Sequence, residues 1–341
     1  MKKINWGIIG LGRVAELFSD GFEETENAKL LAVASKDTNR LDYFKGRYKL
    51  ENRFLFKDYN DLLSCKDIDI VYLALPNSIH HYWIIESIKF QKNVLVEKPA
   101  LLNFEHSRDI QKNLLNKNLF FSEAFMYRYL PQIELIIKII KNNDIGNLIS
   151  MDSTFGVNLL TKKKFFFFNK KKKIDHKDRK FNKDLGGGCI FDLGCYPSSF
   201  SLLIGSLISS NNINDIKLTN IDKEMGVTGV DIESTGELFF KTEFRSKIQS
   251  SFKQDLGNKS VIKGSKGDLI INDTWKGNKI TKKISNSNQV LELNTFKNIY
   301  TYQIEKISKN IINKETKPSF PGMNLEETIL NSKIIEEWHN A

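Results

Sequence analysis

Cysteine is scarce: Cys65, Cys189 and Cys195 are the 3 present in 341 residues. An odd number without metal-ligand pairing argues against a disulfide scaffold or a zinc module, so all three read as free thiols in a reducing compartment. No uninterrupted apolar stretch reaches membrane-spanning length. Met1-Lys2-Lys3 runs directly into the strand-like Ile4-Asn5-Trp6-Gly7-Ile8-Ile9 and lacks a cleavable signal pattern. An arginine-rich or aromatic-interleaved basic stripe is also missing, which removes the usual footprint of a nucleic-acid binder. These absences predict a soluble cytoplasmic protein without a membrane or nucleic-acid partner.

What is abundant is lysine. The formal net charge is +10 and 27% of residues are charged, which could suit an anionic ligand. The lysine comes with many Asn, Ile and Phe, the residues that AT-rich codons specify, so base bias accounts for the excess without a polyanion. An apolar fraction of 40% supports ordinary cores, and the length predicts two domains.

The N-terminal third alternates strands and helices. Trp6-Gly7-Ile8-Ile9 reads as a strand, and Gly10-Leu11-Gly12-Arg13-Val14-Ala15 opens a helix. Gly10 permits the tight turn, Gly12 the backbone approach to a pyrophosphate, and Ala15 close helix packing, with the helix N-terminus facing the phosphates. The second strand ends Ala34-Ser35-Lys36, with Arg40 a turn further on. A hydroxyl and two cations suit a 2′-phosphate, whereas an acid would bind the 2′-hydroxyl of NAD. Asp37 follows at once, so either Lys36 or Asp37 can face the ribose; NADP is favoured over NAD. Arg13 adds a further cation or an adenine-stacking plane.

A later core strand ends Leu75-Pro76-Asn77-Ser78-Ile79-His80, with Asn77 or Ser78 as the expected cap of the next helix. His80 falls in its first turn, close to where a cofactor cleft is expected. The run Asn93-Val94-Leu95-Val96 stops on Glu97-Lys98-Pro99. Ligands collect beyond the carboxyl ends of such strands, which makes Lys98 the first catalytic candidate. The unit is expected to close with a strand at 119–122, giving a dinucleotide-binding domain over 1–122. The expected cofactor contacts are Gly10, Gly12, Arg13, Val14, Ala15, Ser35, Lys36, Arg40, Leu75, Pro76, Asn77, His80, Glu97 and Lys98.

Residues 123–341 are expected to form an α+β domain with a large open mixed or antiparallel sheet. Its strands are placed at 148–157, 231–240, 245–252, 260–264 and 269–272, and its closing helices at 300–313 and 325–338, which could pack back on the first domain. Asn324 is a cap candidate. Phe165-Phe166-Phe167-Phe168 and Lys170-Lys171-Lys172-Lys173 read as an irregular segment, aromatics tucked beneath a mobile lysine loop. Gly186-Gly187-Gly188 opens a helix in which Asp192 and Tyr196, four apart, share a face. A tyrosine ionises near about 10, but a neighbouring ammonium favours its phenolate. A Lys98–Tyr196 couple beside a nicotinamide would therefore move a proton while hydride moves at carbon.

The glycine turn, Pro76-Asn77-Ser78-Ile79-His80, Val96-Glu97-Lys98-Pro99, and Gly186 through Asp192-Leu193-Gly194-Cys195-Tyr196-Pro197 resemble, in order and spacing, the glucose-fructose oxidoreductase / inositol dehydrogenase (Gfo/Idh/MocA) family. The resemblance implies a Rossmann domain, a nicotinamide cofactor, a C-terminal sheet forming a homodimer or homotetramer contact, Lys98 on the substrate oxygen and Glu97 shaping the site. Tyr196 stands where inositol-dehydrogenase-like members carry histidine, so the chain looks closer to the dihydrodiol dehydrogenase and NADP-xylose dehydrogenase branch. The expected activity is NADP-dependent oxidoreduction at a CH–OH or carbonyl of a sugar, polyol or vicinal diol. Asp192 is expected to orient substrate hydroxyls, and no metal is implied. The alternative is a catalytically silent dinucleotide- or sugar-binding sensor on the same fold.

Overall fold

The computed structural model describes residues 2–164, 168–172, 174–209, 215–294 and 297–341. Two compact units emerge: Met1–Leu130 with Phe296–Ile329, and Pro131–Thr295 with Leu330–Ala341. The sequence reading closes the first domain after Ser122, whereas compactness carries the first unit on to Leu130 and adds a C-terminal segment to it.

The first unit alternates β1 (Ile4–Ile9), α1 (Arg13–Asp20), β2 (Ala28–Ala34), α2 (Thr38–Tyr48), β3 (Leu55–Phe56), α3 (Tyr59–Ser64), β4 (Ile70–Leu73), α4 (His80–Lys89), β5 (Asn93–Val96), α5 (His106–Leu114) and β6 (Phe121–Glu123). All six strands pair in parallel, in the order β3-β2-β1-β4-β5-β6. Strand order reverses between β1 and β4, so a ligand crevice is expected above the carboxyl ends of these two strands. Val71, Leu73, Val94 and Val96 are buried together with Ile84, Ile88 and Ile110 from the covering helices. Such continuous apolar strands are what a sheet covered on both faces requires.

The expected cap of α4 is not there. Asn77–Ile79 forms a 3-10 turn and α4 begins at His80 without a side-chain cap bond. At α2 the cap is Asp37, whose Oδ1 accepts from the Asn39 and Arg40 N–H groups.

The second unit holds α6 (Pro131–Lys141), β7 (Leu148–Gly156), a ribbon of β8 (Thr161–Lys164) and β9 (Phe168–Lys171), α7 (Cys195–Gly205), and β10 (Ile216–Met225) through β16 (Ser287–Glu292). Between these last two lie β11 (Asp231–Phe240), β12 (Arg245–Ser251), β13 (Ser260–Gly264), β14 (Gly267–Ile271) and β15 (Lys279–Ile284). The main sheet runs β10-β11-β12-β7-β13-β14-β15-β16. It is mixed, because β7 pairs in parallel with β12 and antiparallel with β13. Leu238, Ile248, Ile262 and Leu269 supply its buried face, and every residue of α7 is buried.

Where an irregular loop was expected, β8 and β9 pair antiparallel, with Thr161 opposite Lys171 and Lys164 opposite Phe168. Phe165, Phe166, Phe167 and Lys173 of that expectation lie outside the described residues. Strands β10, β15 and β16 were not anticipated. Their lysine- and asparagine-rich segments alternate weakly, and β16 is mostly exposed.

Two helices close the chain. α8 (Ile299–Ile312) packs in the first unit, where Ser308 Oγ accepts from Trp6 Nε1 at 3.0 Å and Thr301 donates to the Gly21 carbonyl at 2.8 Å. α9 (Leu325–Asn340) is capped as expected, with Asn324 Oδ1 accepting from Glu327 N–H at 2.9 Å. Its distal half belongs to the second unit, where Trp338 donates to Ser234 Oγ at 2.7 Å.

Candidate active site

The glycine turn after β1 separates two demands on glycine. Gly10 has φ +90°, and a Cβ there would meet the Ala74 carbonyl oxygen at 2.5 Å and Leu75 Cδ2 at 2.9 Å. Gly10 therefore lets β1 and β4 end side by side, a structural task. Gly12 is different: it has an ordinary φ, and a Cβ there would meet nothing within 4 Å. The space in front of Gly12 and the uncapped N-terminus of α1 is a cradle that a side chain would fill, and its N–H groups suit a pyrophosphate. The residues present thus fit a dinucleotide. Ala15 is buried beneath this turn, Val14 is half-buried and Arg13 is exposed.

At the end of β2, Ser35 Oγ accepts from Asp37 N–H at 3.1 Å. The Asp37 carboxylate is occupied at the α2 N-terminus, while Lys36 is exposed and its ammonium lies 5.9 Å from the Tyr59 ring centre. Of the two alternatives for the ribose edge, the cation is the one not engaged in a helix cap. Arg40 reaches back to the glycine turn instead, donating from Nε to the Leu11 carbonyl at 2.7 Å and pairing with Glu16 at 3.2 Å. The Tyr43 hydroxyl, together with Arg40 and Arg47, outweighs burial and holds the Glu16 carboxyl below its usual range.

Beyond β5 the backbone turns through Glu97-Lys98-Pro99-Ala100, and Glu97, Pro99 and Ala100 each have a partner from another element. Tyr72, on β4, donates its hydroxyl to Glu97 Oε1. His80 is fully buried, with Nδ1 2.9 Å from the Pro99 carbonyl and Nε2 2.9 Å from the Leu75 carbonyl. Both carbonyls are acceptors, and which ring nitrogen donates depends on the tautomer. The histidine is thus a strut joining the β4 and β5 turns. On the other side, Glu123 at the end of β6 accepts the Ala100 N–H at 2.9 Å. Lys98 itself is half-buried, while Asn77 and Glu97 are buried and Pro76 is half-buried.

Charge is concentrated beneath this turn. Burial pushes the Glu123 carboxyl up to about 7, with Glu97 adding to the rise and Ala100 N–H, Thr328 and Arg128 opposing it. The Arg128 guanidinium is fully buried, donating to Glu327 at 2.7 Å and to the Pro321 carbonyl at 3.2 Å. Burial works against its charge, but Glu327 and Tyr127 outweigh it and the guanidinium is held above its ordinary value. Tyr72, Glu123 and Arg128 were missed in the sequence. Tyr72 sits in an apolar strand, and the partners of the other two come from elements distant in sequence.

The second candidate cluster lies in the second unit. The glycine run is tightly enclosed: Gly188 has φ +114° and a Cβ there would strike the Asp231 carboxylate, while one at Gly187 would meet the Arg179 and Lys180 carbonyls at 2.7 Å. The helix it opens is not α-helical at first. Ile190–Gly194 is a π-helical turn and α7 starts only at Cys195. The four-residue spacing therefore does not place Asp192 and Tyr196 on one regular face. Asp192 Oδ1 accepts from the Arg179 guanidinium at 2.8 Å. The Tyr196 ring stands edge-on to Phe155 and Trp275, with centroids 5.0 and 5.3 Å away. Helical π-turns are found disproportionately at functional sites.

Beside this turn, Asp231 accepts the Ile190 N–H at 2.7 Å and faces His339 Nδ1 at 3.0 Å. Burial would raise its carboxyl, but His339 and the Ile190 N–H hold it below the usual range. The same burial, with Asp231 alongside, pushes the Cys189 thiol well up, so this cysteine is not a thiolate nucleophile. All three cysteines are free thiols, as expected. Among the described residues no cluster suits a metal ion and no helix is long and apolar enough to cross a membrane. Lys98 belongs to the first unit; Asp192 and Tyr196 belong to the second.

Comparison with known proteins agrees with the first unit's chemistry. Residues 4–125 match the Gfo/Idh/MocA model, described as an oxidoreductase family with an NAD-binding Rossmann fold. A trans-1,2-dihydrobenzene-1,2-diol dehydrogenase of Xenopus tropicalis is 24% identical over 273 residues, 79% of this chain and 76% of that protein. Oxidoreductase P35 of Formosa agariphila is 29% identical over 277 residues, 78% of each chain. Among solved structures, the aldose-aldose oxidoreductase of Caulobacter crescentus superposes with a TM-score of 0.86 at 18% identity, covering 100% of this chain and 97% of that one. KijD10, a 3-ketoreductase from Actinomadura kijaniata in complex with NADP, gives 0.82 at 19% identity over 98% and 96%; at such identities the likeness is one of fold. The glycine cradle, the strand order and these matches converge on residues 4–125, which match the NAD-binding Rossmann fold of the Gfo/Idh/MocA oxidoreductase family.

Proposed function

We propose that the protein is an NADP-dependent oxidoreductase acting on a hydroxyl or carbonyl of a sugar, polyol or vicinal diol. The observation that carries this reading is the Lys98 turn, a half-buried lysine at the carboxyl end of a core strand, its backbone gripped by His80 and Glu123 while Tyr72 holds the Glu97 side chain. Such a grip on the backbone orients a reacting ammonium at little further entropic cost.

A bound nicotinamide would supply the hydride donor or acceptor. Gly12 and the α1 N-terminus would hold its pyrophosphate, and Lys36, with Asp37 withdrawn to the helix cap, favours a 2′-phosphate over a bare ribose. In oxidation, Lys98 steadies the developing oxyanion while Tyr196 takes the hydroxyl proton; in reduction the roles reverse. Asp192, buried and paired with Arg179, orients a substrate hydroxyl. The relatives' names supply the substrate class, as a diol dehydrogenase and an aldose oxidoreductase are among them. We extend the reading to a homo-oligomer through the main sheet of the second unit, for which light scattering on the purified protein is the direct check.

The test is titration with NADPH and NADH, followed by a panel of sugars, diols and dicarbonyls with the tighter cofactor. Lys98→Met is expected to lower turnover by at least about a hundredfold and leave the NADPH dissociation constant nearly unchanged. Unaltered turnover in that variant would refute the assignment of Lys98.

A further inference from the structure

We propose that Glu123 is a positioning residue for the lysine turn: from the end of β6 its carboxyl fixes the backbone around Lys98 through the Ala100 N–H, and its hold tightens or loosens as it loses or gains a proton. This rests on the reading that Lys98 takes part in the reaction, and it goes beyond that reading by making the turn responsive to pH.

Glu123 is 2% exposed. Its Oε1 accepts from Ala100 N–H, and its Oε2 is buried with no hydrogen-bond partner among the described residues. A single N–H needs only one acceptor, and a neutral amide would provide it without the cost of burying a carboxyl group that can ionise. The residue in place is instead one that can carry either charge state.

The groups facing it come from three elements: Glu97 from the end of β5, Arg128 from the 3-10 turn Met126–Tyr129, and Thr328 from α9. Burial and Glu97 oppose ionisation, whereas Ala100 N–H, Thr328 and Arg128 favour it, and the balance falls at about 7. The group therefore changes charge across the neutral range. Ionised, it makes a charge-assisted hydrogen bond to Ala100, roughly twice as strong as the neutral one. Ala100 is two residues from Lys98, and the intervening Pro99 is held from the other side by His80. A tighter bond at Ala100 thus closes the clamp on Lys98.

The experiment is competitive labelling of Lys98 with a small amine-reactive reagent as a function of pH, read by peptide mass spectrometry on cofactor-free wild type and Glu123→Gln. Glutamine keeps an acceptor for Ala100 but does not ionise. In the wild type the Lys98 labelling profile is expected to show an inflection around neutrality, which Glu123→Gln lacks. With NADPH and a substrate, kcat of the variant is expected to stay at the wild type's acidic-limb value at every pH, about tenfold below its alkaline limb, with cofactor affinity unchanged. Superimposable labelling profiles would overturn the proposal. Thr328→Val, which removes a neighbour that favours ionisation, serves as a second variant if Glu123→Gln does not fold. It is expected to move the inflection upward, and an unmoved inflection would equally overturn the proposal. A wild type that binds neither dinucleotide would sink the oxidoreductase reading, while the labelling still decides whether Glu123 governs the turn.

Discussion

Replacing Glu123 by glutamine should stabilise the protein, and by an amount that depends on pH in one direction. The glutamate ionises near 4.5 in the unfolded chain and at about 7 when folded. Below 4.5 both states hold the proton and the group contributes no pH dependence. As pH rises from there, the unfolded chain releases its proton while the folded one retains it, so stability falls until the folded carboxyl also ionises near 7. The accumulated loss is about 3 kcal/mol above neutrality, against less than about 1 kcal/mol at about pH 5. Glutamine abolishes this loss, keeps the acceptor for Ala100 N–H, and can donate to the neighbouring Thr328 Oγ1. Urea unfolding of both proteins at about pH 5 and about pH 8 measures it. The stability difference, variant minus wild type, is expected to grow by roughly 2 kcal/mol between these conditions, a change in midpoint separation of about 1 M for a slope near about 2 kcal/mol per molar. A difference that is flat with pH would show that Glu123 is ionised in the folded state at both values.

Three further outcomes follow from named contacts. Glu327→Ala leaves the fully buried Arg128 without its carboxylate and is expected to cost about 3–5 kcal/mol in denaturant unfolding; a loss under about 1 kcal/mol would mean that Pro321 and Tyr127 suffice to solvate the guanidinium. Gly12→Ala meets open space, so stability should change by no more than about 0.5 kcal/mol while NADPH affinity in calorimetry falls by at least about tenfold; undiminished affinity would move the pyrophosphate away from this turn. Lys36→Ala is expected to weaken NADPH binding about tenfold, as expected for a lost charged hydrogen bond, and to leave NADH unchanged, whereas equal effects on both would exclude a 2′-phosphate contact.

Local chemistry made the first unit legible. A glycine at φ +90° in the turn after β1, a strand of buried valines ending on Glu97-Lys98-Pro99, and an asparagine one residue before α9 are each set within a few residues of themselves. Period and turn residues reveal such features directly. What stayed hidden is non-local. Tyr72 reads as one more apolar strand residue until β4 pairs with β5 and brings it to Glu97. Asp231 lies at the start of a strand and gives no sign that it holds the Ile190 N–H. The π-turn at Ile190–Gly194 has no period of its own to betray it, so the α-helical spacing of Asp192 and Tyr196 was read through a segment that does not obey it. Strand β15 buries Ile280 among lysines and β16 is mostly exposed, so only pairing reveals them.

The lysine turn illustrates why a buried polar network accompanies reactive chemistry. A lysine on a long flexible stem is a poor choice for a fixed charge, because its rotamers must be frozen at a cost of about 2 kcal/mol. Freezing the backbone first reduces what the side chain must still lose. Here that is done from two directions, by a histidine opening α4 and a carboxyl ending β6, while a tyrosine on β4 holds the Glu97 side chain. Each of these groups is buried and would be expensive if left unpaired, so each is committed to its place in the turn before any ligand arrives. All three are of ionisable types, and an apolar core of the same shape would be easier to stabilise. Their retention beneath a single candidate catalytic lysine is intelligible if charge at this turn is adjusted as well as held, which is the consequence that the Glu123 variants put to the test.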